Sequence, residues 1–209
     1  MPSLTAHRTP DQLVAELERL IGVDWPTVWA GVPQDAQERA AWCAGFGWRP
    51  LWAEAGLRVR TDVGGRLHLV SRAPGGPVTR IDHTVWAARA RRLDENAHVT
   101  DLAEARWTDS LTALRGLLGN PTWNGTWETP EFPELPWSGA WPDARWRAEH
   151  QDPYRVSVWR FRVPRAPVFE LRMTRGVTAR NRPVPADARI VLACHDPDHV
   201  ESRRQERRG

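Results

Sequence analysis

The sequence predicts an α+β fold, with an antiparallel sheet of about five to six strands and helices packed on one face. Helical segments occupy the N-terminal part and the middle of the chain, whereas the segments between and after them alternate apolar and polar residues. This alternation gives each strand one apolar and one polar face, which is typical of an antiparallel sheet that is covered on one side.

The first helix is predicted in "TPDQLVAELERLIG", residues 9–22. Thr9 is the N-cap candidate, Pro10 suits the first helical position, and Gly22 ends the segment. Its apolar residues recur at helical spacing and comprise Leu13, Val14, Leu17, Leu20 and Ile21. A second helix is predicted within "PQDAQERAAWCAGFG", residues 33–47, because residues 34–43 contain no helix breaker.

Three strands are predicted next, in "GLRVRTDV", "GGRLHLVS" and "PVTRIDHTVW". Gly64 and Gly65 supply the hairpin turn between the first two. In each strand the apolar side chains alternate with arginine, histidine or aspartate.

The longest predicted helix lies in "NAHVTDLAEARWTDSLTALRGLLGNP", residues 96–121, with Thr100 or Asp101 as its cap and Gly119 at its end. Two or three further strands are expected among "ARWRAE", "YRVSVWRFRV" and "VFELRMTRGV". The segment "ARIVLAC", residues 188–194, fits either a strand or the start of a C-terminal helix.

Length and composition predict one domain over residues 1–199, with a Trp/Pro-rich loop inserted at 121–144 and a disordered basic tail at 200–209. The N-terminus has no pattern of a secretion signal, and no apolar run approaches the length of a membrane span, so a cytoplasmic protein is expected. Cys43 and Cys194 have no metal or redox spacing; we expect them to be reduced and packed, and we expect no cofactor.

All 29 basic residues are arginine, and the formal net charge is only +3. A nucleic-acid-binding protein usually has a larger basic footprint, so we expect neither a nucleic acid nor a membrane as partner. The chain is expected to be a monomer or a homodimer.

A resemblance rests on "LIGVDW", "CAGFGWRP", "LRVRTDVGGRLHLV", "RIDHTVW" and "DLAEARWTDSLTALRGLLGNPT". These segments resemble a family of uncharacterised actinobacterial α+β domains, and the resemblance covers most of residues 10–175. It implies a binding role of the immunity-protein or secretion-chaperone type, with a toxin or a secreted effector as partner. It transfers no catalytic residue.

The stretch "PTWNGTWETPEFPELPWSGAWPDARWR", residues 121–147, combines five tryptophans with prolines that prevent a regular helix or central strand. Rings of this size are too costly to leave in water on a soluble monomer. Either the aromatic side chains pack on the chain's own sheet or some of them anchor a partner. The residues concerned are Trp123, Trp127, Phe132, Trp137 and Trp141.

The polar strand faces carry arginines, which form bidentate contacts with carboxylates. If the strands pair as inferred, one surface holds Arg58, Arg60, Arg66, Arg145, Arg147 and Arg172. Together with the loop tryptophans, this surface is the predicted protein-binding site, from which the chain would occlude its partner. For the arginines taken by themselves, the favoured interpretation is a solubilising face balanced by nearby glutamates and aspartates. If the loop packs on the sheet, its residues Glu128, Glu131 and Glu134 are expected to meet these arginines.

A different functional class stays open, namely a small enzyme with its active site under the Trp/Pro loop. Its acid–base candidates are Asp82, His83 and His68, although Asp82 and His83 must point to opposite faces of a strand. A metal site is conceivable in "HDPDH", which contains His195, Asp196, Asp198 and His199. A solvated polar terminus is the favoured interpretation of that segment.

Overall fold

The computed structural model describes residues 2–52, 56–129, 132, 144–163, 165–179 and 182–199. Its principal helices are α1 (Pro10–Ile21), α2 (Trp25–Ala30), α3 (Ala36–Gly45), α4 (Asn96–Leu118) and α5 (Ala144–His150). Its strands are β1 (Ser3–His7), β2 (Trp48–Trp52), β3 (Leu57–Thr61), β4 (Arg66–Ser71), β5 (Val78–Arg89), β6 (Trp123–Gly125), β7 (Arg155–Trp159), β8 (Val168–Ala179) and β9 (Arg182–His195).

The strands form one sheet in the order β2-β3-β4-β5-β9-β8-β7-β6, and β1 pairs with the far end of β5. Every pairing is antiparallel. The α+β class and the antiparallel sheet are therefore confirmed, but the expectation of five to six strands is wrong, since the sheet has nine. The unpredicted strands β1, β2 and β6 are short and pair on one side only, so their sequences carry little of the alternation of a half-buried strand.

Helix α1 forms as the sequence predicts. The Thr9 hydroxyl accepts a hydrogen bond from the Gln12 backbone N–H at 3.3 Å, and the Gln12 side chain accepts one from the Thr9 N–H at 3.1 Å. This reciprocal capping box satisfies two backbone donors that the first helical turn leaves without partners. Pro10 takes the first helical position, and Gly22 follows the last turn.

Helix α4 begins four residues before the predicted cap. The side chain of Asn96 donates to the Val184 carbonyl at 2.9 Å and accepts from the Ala186 N–H at 2.8 Å, which fastens the start of the helix to β9. Thr100 lies in the second turn of the helix, where its hydroxyl donates to the Asn96 carbonyl. The C-terminal prediction is correct, because Gly119 ends the helix with a φ of 77°.

The possible strand in "ARWRAE" is not observed, because residues 144–150 form helix α5. Its arginines therefore do not lie on the sheet. The undecided segment "ARIVLAC" is part of strand β9, whose 14 residues pair with both β5 and β8.

The two faces of the sheet follow from the register, since directly opposite residues of antiparallel strands share a face. Leu57, Leu69 and Ile81 lie opposite one another and are buried in the same core cluster as helices α1–α4. We call this side the covered face. Arg58 and His68 occupy the alternate positions, which defines the outer face.

The main core lies between the covered face and helices α1–α4. The predicted stripe of α1 supplies Leu13, Leu17 and Leu20, each almost completely buried. Trp159 is also buried there, and its indole N–H donates to the Gly119 carbonyl at 2.9 Å. Apolar burial of this kind contributes about 25 cal/mol per Å². The outer face carries none of these four helices and is where the polar side chains of the strands collect.

Candidate functional site

Three arginines on neighbouring strands stand directly opposite one another at one end of the outer face. Arg49 of β2 pairs with Arg60 of β3, and Arg60 pairs with Arg66 of β4. We call these three residues the arginine ladder. Directly opposite residues in antiparallel strands have their Cα atoms about 4.5–5.5 Å apart. All three side chains are exposed.

A second row lies beside the ladder and contains Trp52, Arg58 and His68, which also stand opposite one another. The guanidinium carbon of Arg58 lies 5.3 Å from the centroid of the Trp52 ring, within cation–π distance. Trp52 nevertheless stays 45% exposed. The ladder therefore has a large, accessible aromatic side chain next to it.

The ladder arginines and Arg58 have no carboxylate within ion-pair distance among the residues that the structure describes. The nearest acid in the second row is Asp82 of β5, opposite His68, and its carboxylate is bound to Arg80 at 2.9 Å. No acid among the described residues therefore balances the charges at this end of the sheet; Glu54, Glu131 and Glu134 lie outside those residues. Like charges directly opposite in a sheet are destabilising. An anionic group from outside the described chain would relieve that repulsion.

Further along the outer face, the charges are satisfied within the protein. The Nε2 atom of His195 lies 2.9 Å from Oε2 of Glu170, and both side chains are almost completely buried. Arg172, a predicted partner-binding residue, lies 3.8 Å from the other Glu170 oxygen and is only 14% exposed. Burial by itself raises the pKa of Glu170, but the hydrogen bond with His195 and the charge of Arg172 outweigh it and hold that pKa below its ordinary value.

Two of the predicted aromatic residues, Trp123 and Phe132, pack on the chain's own outer face. Trp123 of β6 lies opposite Val158, and its ring meets that of Phe132 edge-on at 5.3 Å. Both rings pack against a small cluster formed by Val156, Val158 and Val168. Self-packing is thus the outcome for Trp123 and Phe132. Trp127 is half-buried, whereas Trp137 and Trp141 lie outside the described residues, as do Glu131 and Glu134.

The two predicted arginines of α5 have different surroundings. The guanidinium carbon of Arg147 lies 4.3 Å from the centroid of the Phe132 ring, so this half-buried side chain extends the aromatic cluster. Arg145 is exposed. Neither belongs to the ladder, which combines Arg60 and Arg66 with Arg49, a residue that the sequence analysis did not select. The neighbouring Pro50 made a strand there hard to predict.

The acid–base candidates do not form one site. His83 lies on the covered face, 2% exposed, with its Nδ1 atom 3.0 Å from the Arg66 carbonyl oxygen. Burial lowers the pKa of His83 to about 4. Asp82 and His68 are on the outer face, so the sheet separates them from His83. The predicted opposite orientation of Asp82 and His83 is confirmed.

The C-terminal histidine–aspartate segment also differs from expectation. His195 is a buried residue of β9 that contacts Glu170, so the interpretation as a solvated polar terminus is wrong for it. Among the described residues, no three or more histidine, cysteine, aspartate or glutamate side chains are grouped closely enough to hold a metal ion. Cys43 and Cys194 are both free and buried, as expected.

A buried carboxylate on the covered face was missed. Glu16 of α1 is completely buried, where it accepts a hydrogen bond from the Thr61 hydroxyl at 2.8 Å and lies 3.4 Å from Arg8. Burial raises the pKa of Glu16, and its two partners offset this only in part. Gly65 leaves the space for it, because a Cβ atom there would overlap the carboxylate. The signal was present in the sequence, since Glu16 falls within the apolar stripe of α1.

None of the helices among the described residues combines the length and the apolar character that crossing a membrane requires. The chain matches no protein-family model, no curated protein and no solved structure. The resemblance to actinobacterial domains therefore stays a prediction.

Proposed function

We propose that this chain is a non-enzymatic protein-binding module that occludes an acidic surface of its partner with the outer face at β2–β4. The role is of the immunity-protein or secretion-chaperone type, and the partner is a toxin or a secreted effector. The observation that carries the proposal is the arginine ladder, three exposed like charges directly opposite one another and without ion pairs in the described part of the chain. Arginine and tryptophan are also the residue types that most often dominate binding energy at protein interfaces.

The chemistry of the ladder favours a carboxylate-bearing partner. Each guanidinium offers a planar fork of donors that matches a carboxylate. Trp52 adds exposed apolar area beside the charges. Burial of this ring against the partner would contribute binding energy in addition to the ion pairs. The ladder arginines belong to paired strands with a packed core behind them, so their backbone positions are fixed before the partner arrives.

The test is a pull-down from the native host with the tagged full-length chain. The double variant Arg60→Glu/Arg66→Glu should lose the partner that the natural chain captures. The matched control is Arg91→Glu/Arg162→Glu, which makes the same charge change at two exposed arginines outside the ladder. This control should retain the partner. Capture of the same partner by the ladder variant and the natural chain in equal amounts would refute the proposal.

A further inference from the structure

We infer that the ladder binds an acidic α-helix of the partner, which lies across strands β2–β4 rather than along them. This inference rests on the proposed function and adds the form of the partner's binding segment. It starts from the direction of the ladder, which runs from strand to strand and so perpendicular to the strand axes.

Spacing is the first argument. Neighbouring strands are about 4.8 Å apart, so the three ladder arginines start from backbone positions that span about 10 Å. An α-helix rises 1.5 Å per residue, so acidic residues at positions i, i+4 and i+7 lie on one side and span about 10.5 Å. Each carboxylate of such a stripe then meets one guanidinium. An extended acidic segment places same-side residues about 6.7 Å apart and would cover about 13 Å with three carboxylates.

The edge of the sheet supplies the second argument. An extended partner segment binds most readily by adding a strand to an exposed edge, and β2 is an edge strand. Pro50 lies in the middle of β2 and has no N–H to donate. Strand addition at this edge therefore lacks a central hydrogen bond, which favours binding on the face.

The position of Trp52 indicates which residues the partner helix carries beside its acidic stripe. Its row is separated from the ladder by two residues along β3, or about 6.7 Å. A helix centred over the ladder therefore needs an apolar residue on the neighbouring stripe to cover the exposed indole. The predicted ligand is an amphipathic helix with adjoining acidic and apolar stripes.

Single-stranded nucleic acid is the competing polyanion, because phosphates also pair with arginine and bases stack on tryptophan. Proteins that bind it present several aromatic side chains on which successive bases stack. In the two rows described above, Trp52 carries the single large aromatic ring, and the one other aromatic ring is the smaller imidazole of His68. The observations therefore favour the helix.

Three fluorescent probes test the inference by fluorescence anisotropy at about 0.1 M salt, where the charges of the ladder are only partly screened. The first is a helical peptide with glutamates at i, i+4, i+7 and i+11 and leucines on the adjoining stripe. The second has the same composition in scrambled order, and the third is a single-stranded oligonucleotide of equal charge. All are measured against the full-length chain.

The patterned peptide should bind about tenfold more tightly than the scrambled one, and Arg60→Gln should weaken it about tenfold. Trp52→Ala should weaken it as well, whereas Arg91→Gln and Arg162→Gln should change its affinity less than about twofold. Circular dichroism of each variant shows whether the fold is retained.

If the patterned and the scrambled peptide bind with equal affinity, and Arg60→Gln abolishes the binding of both, the helix inference is overturned but the proposed function stands. The same holds if no peptide binds while the ladder variant loses its partner in the pull-down. Tighter binding of the oligonucleotide than of either peptide, dependent on Arg60, overturns both. Retention of the native partner by the ladder variant overturns the proposed function itself.

Discussion

Replacing Arg60 with glutamate should raise the free energy of unfolding, although most substitutions lower it. Arg60 is the middle residue of the ladder, with Arg49 opposite it on one side and Arg66 on the other. Both contacts join like charges, and no described carboxylate lies close enough to compensate them. Glutamate at this position would turn two repulsive contacts into two attractive ones.

The magnitude follows from the geometry of the pairs. Two unit charges about 5.5 Å apart in water interact by about 0.75 kcal/mol. Long side chains at the surface splay apart, so we expect the range measured for cross-strand pairs, about 0.2–1 kcal/mol each. Each of the two contacts loses its repulsion and gains an attraction, so Arg60→Glu should gain about 0.8–4 kcal/mol in total. Arg60→Gln removes the repulsion without adding attraction, so its gain should be about half as large.

Urea unfolding at low ionic strength, followed by circular dichroism, measures this gain as a shift in the midpoint at unchanged slope. A parallel series in about 1 M salt is the internal control, because the Debye length falls to about 3 Å and the charge contribution disappears. Pull-downs with the same variants should show loss of the partner, so stability and binding change in opposite directions.

A lower midpoint for Arg60→Glu at low salt would refute the reasoning. It would mean that Arg60 is stabilised where it is, and that the ladder has no need of an external anion. An increase that persists in high salt would also count against it, because the gain would then come from strand propensity and not from charge.

Three further predictions concern the Glu170–His195 pair and two glycines. His195→Ala should lower the free energy of unfolding by about 1–3 kcal/mol in urea denaturation, because it removes the hydrogen-bonding partner of the buried Glu170 carboxylate. The pKa of Glu170 is lower in the folded than in the unfolded chain. The stabilisation by its ionised carboxylate is therefore present above the unfolded-state pKa and is lost as the pH falls through the folded-state pKa. In an acid-unfolding experiment, Glu170→Gln should lack this loss of stability. Gly65→Ala should destabilise the fold, because a Cβ atom there displaces the Glu16 carboxylate. Gly116→Ala should stabilise the fold by up to about 1 kcal/mol, because its Cβ position in α4 is open. Thermal unfolding measures both effects.

Local signals explain which parts of the fold were predictable. Helix α1 carries its own cap and stop, so the sequence alone determines where it begins and ends. The start of α4 depends instead on Asn96, whose partners lie about 90 residues away on β9. A contact at that separation leaves no trace in the sequence near residue 96. The cap was therefore predicted at the nearest residues with good local propensity.

The candidate site was predictable only in part for a related reason. The alternation of apolar and polar residues places Arg58, Arg60 and Arg66 on polar strand faces. This placement can be predicted without knowing how the strands pair. Arg49 joins them only because β2 pairs with β3, and β2 contains a proline that opposes a strand prediction. Glu170 and His195 come together because β8 pairs with β9, a pairing between segments that the sequence does not connect by any motif.

The distribution of charge on the outer face supports the proposal that the ladder binds a partner. Around β5, β8 and β9, charged side chains have close partners, as in the Arg80–Asp82 ion pair at 2.9 Å within β5 and the Glu170–His195 hydrogen bond at the same distance between β8 and β9. The same face therefore has room for compensating groups along and between its strands. At β2–β4 arginine faces arginine across both strand pairs, and the next acid along the sheet is already bound. A surface needed only for solubility can mix both signs of charge at no cost in stability. Like charges placed opposite one another lower stability. The proposed anionic partner would recover that loss when the complex forms.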